Sequence, residues 1–176
     1  MELGLIHVYT GEGKGKTTAA IGQMIRSLGS GLKIIFVQFL KADDTGETGI
    51  LSNLTPPVEV KRFNTQKKFI WNMKPEEIEV LKNDSQKGYE YISNIITENS
   101  CDLLVLDEFN WVLNKNFIDL NEFLYLLKNK PASMEIIITG RNAPSSLIEM
   151  ADYVTEMKKI KHPMDKGIQA RPGIER

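Results

Sequence analysis

Short runs of apolar residues alternate along the chain with longer amphipathic stretches, the pattern that predicts a parallel α/β fold. Leu5 to Tyr9 reads as a first strand. Lys16 to Leu28 reads as a helix, because Ala20, Met24 and Leu28 recur every four residues and share one face, and Gly29 and Gly31 then stop it. Ile34 to Leu40 has the near-continuous apolar character of a strand buried on both faces. Lys41 to Pro57, with Asp43, Asp44, Gly46, Gly49 and a final Pro-Pro pair, reads as a loop with a helical turn around Ile50 to Asn53. Val58 to Phe63 is a short strand. Pro75-Glu76-Glu77 opens a helix that runs to about Asn99, weakened at Gly88 but not broken. Leu103 to Leu106 is a further buried strand, Leu120 to Leu127 a helix, Glu135 to Thr139 a strand closed by Gly140, Ser145 to Met150 a short helix and Val154 to Met157 an edge strand. This order predicts one mostly parallel sheet with helices on both faces, joined by right-handed crossovers.

Length and composition narrow the class without changing that picture. At 176 residues the chain suits one domain, spanning residues 1–176 with no repeat or break in composition to mark a linker. Hydrophobic residues make up 41% and charged residues 26%, as in an ordinary soluble protein. No apolar run approaches the roughly 18 residues of a bilayer span, and the start Met-Glu-Leu-Gly lacks the basic region of a secretory signal, so a cytoplasmic location is expected. A formal charge of −1 gives no electrostatic case for nucleic-acid binding. The single cysteine, Cys101, can neither form an internal disulfide nor build a cysteine zinc site, and reads as a small hydrophobe at a strand start. Residues 157–176 stand apart: Lys158, Lys159, Lys161, Lys166, Arg171 and Arg176 face only Asp165 and Glu175, a basic C-terminal strap.

The chemistry begins directly after the first strand. Thr10-Gly11-Glu12-Gly13-Lys14-Gly15-Lys16-Thr17-Thr18 leads into a helix, the placement of a phosphate-binding P-loop. Glycines let successive N–H groups converge on phosphate oxygens, and the positive end of the following helix adds to the attraction. Gly11, Glu12, Gly13, Lys14, Gly15, Lys16, Thr17 and Thr18 are therefore the expected nucleotide-binding residues. Lys16 supplies a point charge to the outer phosphates, and the Thr17 hydroxyl can ligate Mg²⁺. The strict P-loop pattern places a glycine where Thr10 stands. A second element agrees: Leu103-Leu104-Val105-Leu106 ends in Asp107-Glu108, an apolar strand delivering a carboxylate to the metal. Together these predict a Mg²⁺-nucleotide site, for ATP. They do not choose the reaction, since either acid could orient water or accept a proton, and neither His7, inside the first strand, nor His162, in the basic tail, is well placed as a base.

The segment Gly11 to Thr18, followed by Ala19-Ala20 and Arg26, resembles the phosphate loop of the corrinoid adenosyltransferases, a P-loop family that makes adenosylcobalamin. Val37-Gln38-Phe39-Leu40-Lys41, Gly46-Glu47 with Leu51, Val105-Leu106-Asp107-Glu108 and Ile138-Thr139-Gly140-Arg141 are similar to that family too. So are Lys161-His162, Asp165, Gly167, Ala170 and Gly173-Ile174-Glu175 in the tail. The resemblance implies a RecA-like P-loop NTPase fold and transfer of the 5′-deoxyadenosyl group of ATP to the Co(I) of a reduced corrinoid, with release of triphosphate. It implies Thr17 and Glu108 as Mg²⁺ ligands with Asp107 as the alternative, Lys14 and Arg26 as further phosphate contacts, and Lys16 as the catalytic cation. Phe69-Ile70-Trp71 resembles an aromatic pair that fills the lower face of the corrinoid, so Phe69 and Trp71 are expected to aid reduction by excluding the lower axial ligand. A homodimer and a flavoprotein reductant follow from the same resemblance. The competing readings are a P-loop kinase or ATPase, and a non-catalytic ATP-binding module. Glu12 brings a carboxylate near phosphate and calls for a nearby cation, for which Lys14 is the sequence neighbour.

Overall fold

In the computed structural model, residues 3–40, 46–64, 73–171 and 173–175 are described. Strands β1 (Ile6–Thr10), β2 (Ile34–Phe39), β3 (Glu59–Phe63), β4 (Leu103–Asp107), β5 (Glu135–Thr139) and β6 (Tyr153–Glu156) form one sheet in the order β3-β2-β4-β5-β1-β6. Every neighbouring pair is parallel. Helices α1 (Lys16–Gly29), α2 (Gly46–Ser52), α3 (Pro75–Glu98), α4 (Phe109–Asn114), α5 (Leu120–Lys128) and α6 (Ser145–Met150) connect them. The fold is α/β with a P-loop NTPase-like sheet, as the apolar alternation predicts.

Side chains alternate across the strands and sort the core into two layers. On one face Ala20 and Met24 of α1 and Leu51 of α2 pack against Ile34, Phe36, Leu103, Val105 and Ile137. On the other, Ile35, Val37, Phe39, Leu104, Leu106, Ile136 and Ile138 meet Ile92, Ile95 and Ile96 of α3, Phe109 of α4, Phe123 of α5 and Leu147 of α6. Gly88 sits where α3 crosses β2. A Cβ there would lie 2.8 Å from Phe39 Cε1, so the residue that weakens the helix is the one that lets it close on the sheet.

Several elements differ from the sequence expectation, among them β1, which runs over Ile6–Thr10 instead of Leu5 to Tyr9. The helical turn placed at Ile50 to Asn53 is a helix over Gly46–Ser52, anchored by Leu51, which is 1% exposed. Helix α4 has no counterpart in the expectation, because Glu108 at its N-cap makes no side-chain cap and no proline opens its first turn, so the sequence carries no start signal. The edge strand runs over Tyr153–Glu156 instead of starting at Val154, and all four residues are exposed, so burial leaves no mark on its sequence. Residues 41–45 and 65–72 lie outside the described residues, and with them Phe69 and Trp71.

The topology sets where ligands can bind. β1 and β5 are neighbours, but the chain leaves β1 through α1 on one face and leaves β5 through α6 on the other. The loops after these two strands diverge at their carboxyl ends and open a crevice at the switch point.

Candidate functional site

The loop after β1 fills that crevice. Gly11 has φ +97° and Gly15 φ +116°, values that favour glycine, and Gly15 is the N-cap of α1. No side chain caps this helix, so the N–H groups of its first turn and the positive end of its dipole face the loop. Lys16 is buried at 7% exposure and its Nζ donates to Gly11 O and Gly13 O, both at 2.8 Å, which lays the ammonium across the loop. Burial lowers its pKa, and the nearby Glu108 carboxylate is the strongest force in the opposite direction.

The strap braces the loop from outside. Met157 N donates to Thr10 O at 2.8 Å and Gly13 N donates to Met157 O at 2.6 Å, continuing the β1–β6 pairing past its last residue pair. A Cβ on Gly11 or Gly13 would lie 2.5 or 2.6 Å from Met157 O, so both positions must be glycine for the chain to approach so closely. Further on, the Arg171 guanidinium is bonded to Glu175 at 2.8 and 3.1 Å and holds that carboxyl down at about 2, with Lys14 adding to the pull. The end of the strap thus lies within electrostatic reach of the loop. Glu12 pairs with Arg141 at 3.0 Å, so the cation that compensates it comes from the loop after β5 and not from Lys14.

Asp107 and Glu108 part company at the end of β4. Asp107 is fully buried and accepts three hydrogen bonds: Thr17 Oγ1 at 2.8 Å and Thr139 Oγ1 at 2.7 Å on Oδ1, and Gln38 Nε2 at 3.1 Å on Oδ2. Register makes this possible, since Gln38 of β2 is paired with Asp107, and the pairing of Leu106 with Ile138 places Thr139 of β5 on the other side. The same ladder sets Arg62 of β3 beside Gln38, so a polar row crosses four strands beneath the carboxyl edge on the α1 face. Among the described residues, Gln38 Oε1, buried within this row, has no hydrogen-bond partner. Glu108, half-buried, turns the chain with φ +58° into α4, and its N–H donates to Thr139 Oγ1 at 3.0 Å.

The structure therefore brings together Gly11, Glu12, Gly13, Lys14, Gly15, Lys16, Thr17 and Thr18 on the loop and first helical turn, with Asp107 and Glu108 facing them. It does not bring Arg26, which is exposed in the last turn of α1. Ten residues at about 1.5 Å each put it roughly 15 Å along the helix from Lys16. His7 lies on β1, hydrogen-bonded to Glu135 and in tilted contact with Tyr153, ring centroids 4.5 Å apart. His162 caps a short helical turn over Pro163–Lys166, accepting from Met164 N. Gln38, Thr139 and Arg141 figure in the sequence only as points of resemblance, although Gln38 is the sole polar residue of β2, a signal for a buried polar contact.

A glycine loop between an interior strand and its helix, with a strand separating it from a carboxylate-ended neighbour, is the arrangement of a P-loop NTPase-like fold of the α/β class. The model of the family described as ATP:corrinoid adenosyltransferase BtuR/CobO/CobP matches residues 2–176. The chain is 38% identical over 176 residues to a corrinoid adenosyltransferase of Sinorhizobium sp., covering 99% of this chain and 81% of the relative. It is 34% identical over 175 residues to one from Pseudomonas aeruginosa and 33% identical over 175 residues to one from Escherichia coli, with 99% of this chain and 84% and 86% of those relatives covered. The chain belongs to the ATP:corrinoid adenosyltransferase family, and is an enzyme of the transferase class.

Proposed function

We propose that the protein transfers the 5′-deoxyadenosyl group of ATP to the cobalt of a reduced corrinoid. Co(I) attacks C5′ with its lone pair, the C5′–O bond breaks, and its electron pair leaves with intact triphosphate while cobalt becomes formally Co(III)-alkyl. The observation that carries this reading is the coincidence of a family match along residues 2–176 with a glycine loop, an uncapped helix start and a Thr17–Asp107 hydrogen bond gathered at the switch point.

The residues suit the demands of that step. Co(I) carries no proton to remove, so no general base is needed beside it. The protein must instead stabilise negative charge gathering on the departing triphosphate, the task of convergent N–H groups at an uncapped helix start and of the Lys16 ammonium. Lys16 is already desolvated, which strengthens its attraction for phosphate.

The donor set also fits a hard divalent cation. Thr17 Oγ1 donates a hydrogen bond to Asp107, leaving the oxygen lone pairs free to ligate, and Glu108 offers a carboxylate at the edge of the same site. Both oxygens of Asp107 are engaged in hydrogen bonds, so it serves by aiming Thr17. Thr17 and Glu108 would hold Mg²⁺ there, and among the described residues no three His, Cys, Asp or Glu side chains cluster as a metal cage. When bound, the ion neutralises part of the triphosphate charge.

By resemblance, Phe69 and Trp71 cover the lower face of the corrinoid and exclude an axial ligand, which makes Co(II) easier to reduce. A flavoprotein supplies the electron, the enzyme works as a homodimer, and it acts in the cytoplasm. No described helix is long and apolar enough to cross a membrane.

The test is anaerobic incubation with MgATP and chemically reduced cobalamin, followed through the absorbance of the cobalt–carbon product. Wild-type enzyme is expected to form it and Lys16→Ala to lose both nucleotide binding and turnover. ADP and phosphate as products would establish a kinase or ATPase, binding without turnover a non-catalytic module, and full activity in Lys16→Ala would remove the phosphate-loop reading.

A further inference from the structure

One hydroxyl joins the two acids at the end of β4. Thr139 Oγ1 donates to Asp107 Oδ1 at 2.7 Å and accepts from Glu108 N at 3.0 Å, and Thr139 and Asp107 are both 0% exposed. Asp107 Oδ1 is also the acceptor that fixes the Thr17 hydroxyl, at 2.8 Å. The hydroxyl comes from β5, the strand between the acid-bearing β4 and the loop-bearing β1, so the sheet ladder sets its position. Glu108 stands in a left-handed conformation, φ +58°, which residues with a Cβ seldom adopt unless neighbouring contacts hold them there.

We propose that Thr139 is a positioning residue for the metal-phosphate centre, aiming Thr17 through Asp107 and fixing the backbone from which Glu108 reaches. It touches neither metal nor substrate. The inference rests on the reading that Thr17 and Glu108 hold the divalent cation, and goes beyond it by assigning the residue that sets their separation. The argument is one of shared support: two ligands from α1 and the β4–α4 turn meet a cation at fixed spacing only if a third element holds both. Thr139 is bonded to one directly and to the other through a single carboxylate. A threonine serving only to satisfy buried groups predicts lost stability with unchanged metal affinity, so the two roles separate by measurement.

The probe is Mn²⁺, followed by electron paramagnetic resonance with ATP and the full-length protein. Thr139→Val keeps the volume and removes the hydroxyl, while Thr139→Ser keeps the hydroxyl. Thr139→Val is expected to weaken Mn²⁺ binding in the ternary complex by roughly 10-fold or more, the size of effect seen when groups supporting metal ligands are removed. Thr139→Ser is expected to stay within about threefold of wild type, and the half-saturating Mg²⁺ for turnover to rise in Thr139→Val while the maximal rate changes less. Wild-type affinity in Thr139→Val, or an equal loss in Thr139→Ser, overturns the proposal. If Thr139→Val does not fold, Thr139→Cys, whose thiol is a weak partner, carries the comparison: intermediate weakening supports the proposal and affinity equal to Thr139→Ser overturns it. A wild-type spectrum identical to that of free MnATP would instead show that no protein oxygen reaches the cation, and would remove the metal reading and this proposal together.

Discussion

Replacing Asp107 by leucine and by asparagine separates the shape of its side chain from its hydrogen bonding. Leucine has the same branched outline, so the main loss is of acceptors. Gln38 and Thr139 are each 0% exposed and donate to Asp107 at 3.1 and 2.7 Å; with leucine, both donors stay buried with nothing to receive them. At about 1–3 kcal/mol for each buried orphan, Asp107→Leu costs about 4 kcal/mol, since the half-buried Thr17 hydroxyl can turn to water at little expense. Asparagine keeps Oδ1 for Thr17 and Thr139 and places an NH₂ against Gln38. The Gln38 amide can then reverse, so that Oε1, unpartnered in the native row, accepts from the new donor. What is lost is the charge on the acceptor, offset by no longer burying an ion, and the net change is expected within about 1 kcal/mol. Urea unfolding with equal m-values measures the difference directly, and a gap of about 3 kcal/mol corresponds to roughly 6–12 °C in Tm for a chain of this size. Equal stability of the two variants would refute the reading of Asp107 as a three-donor acceptor.

Gly13→Ala puts a methyl 2.6 Å from Met157 O and 2.8 Å from Lys158 O, both backbone atoms that cannot swing aside, and threatens the Gly13–Met157 hydrogen bond. Stability should fall by about 1–2 kcal/mol and limited proteolysis should cut faster within residues 157–175; an unchanged cleavage rate would show that the strap does not depend on that contact. Burial pushes the Cys101 thiol up from 9.0 to about 12. A folded pKa above the unfolded one contributes stability that is complete below pH 9.0 and is lost as the pH rises towards about 12, so wild-type protein should lose more stability over that window than Cys101→Ala. Parallel pH profiles would contradict the assignment. Trp71→Ala should slow the reaction from Co(II) more than from chemically supplied Co(I), and equal losses on both would remove its role in excluding the axial ligand.

Most of the fold was legible because burial imposes a period. Runs such as Ile34 to Phe39 and Leu103 to Leu106 mark strands covered on both faces, and the recurrence of Ala20 and Met24 marks the buried stripe of α1. Legibility failed where that cause is missing. Helix α4 lacks a capping or proline start signal, Gly46 and Gly49 disguise α2, and β6 is exposed throughout. The site divides in the same way. The phosphate loop and the paired acids are contiguous in sequence, so their chemistry reads directly. Gln38 and Thr17 stand 69 and 90 residues from Asp107, and only the register of β2 with β4 and the path of α1 show that they share one carboxylate. The sequence offers Lys14 to Glu12 where the structure supplies Arg141, for the same reason: neighbours in sequence are visible, while neighbours across the sheet are not.

The measurement that tests the central claim most directly is ³¹P magnetic resonance of the spent nucleotide after anaerobic turnover with reduced corrinoid, with mass analysis of the corrinoid product. Cleavage at C5′ predicts one intact triphosphate for every adenosylated corrinoid. Orthophosphate with ADP, or triphosphate without a matching rise in corrinoid mass, would contradict it.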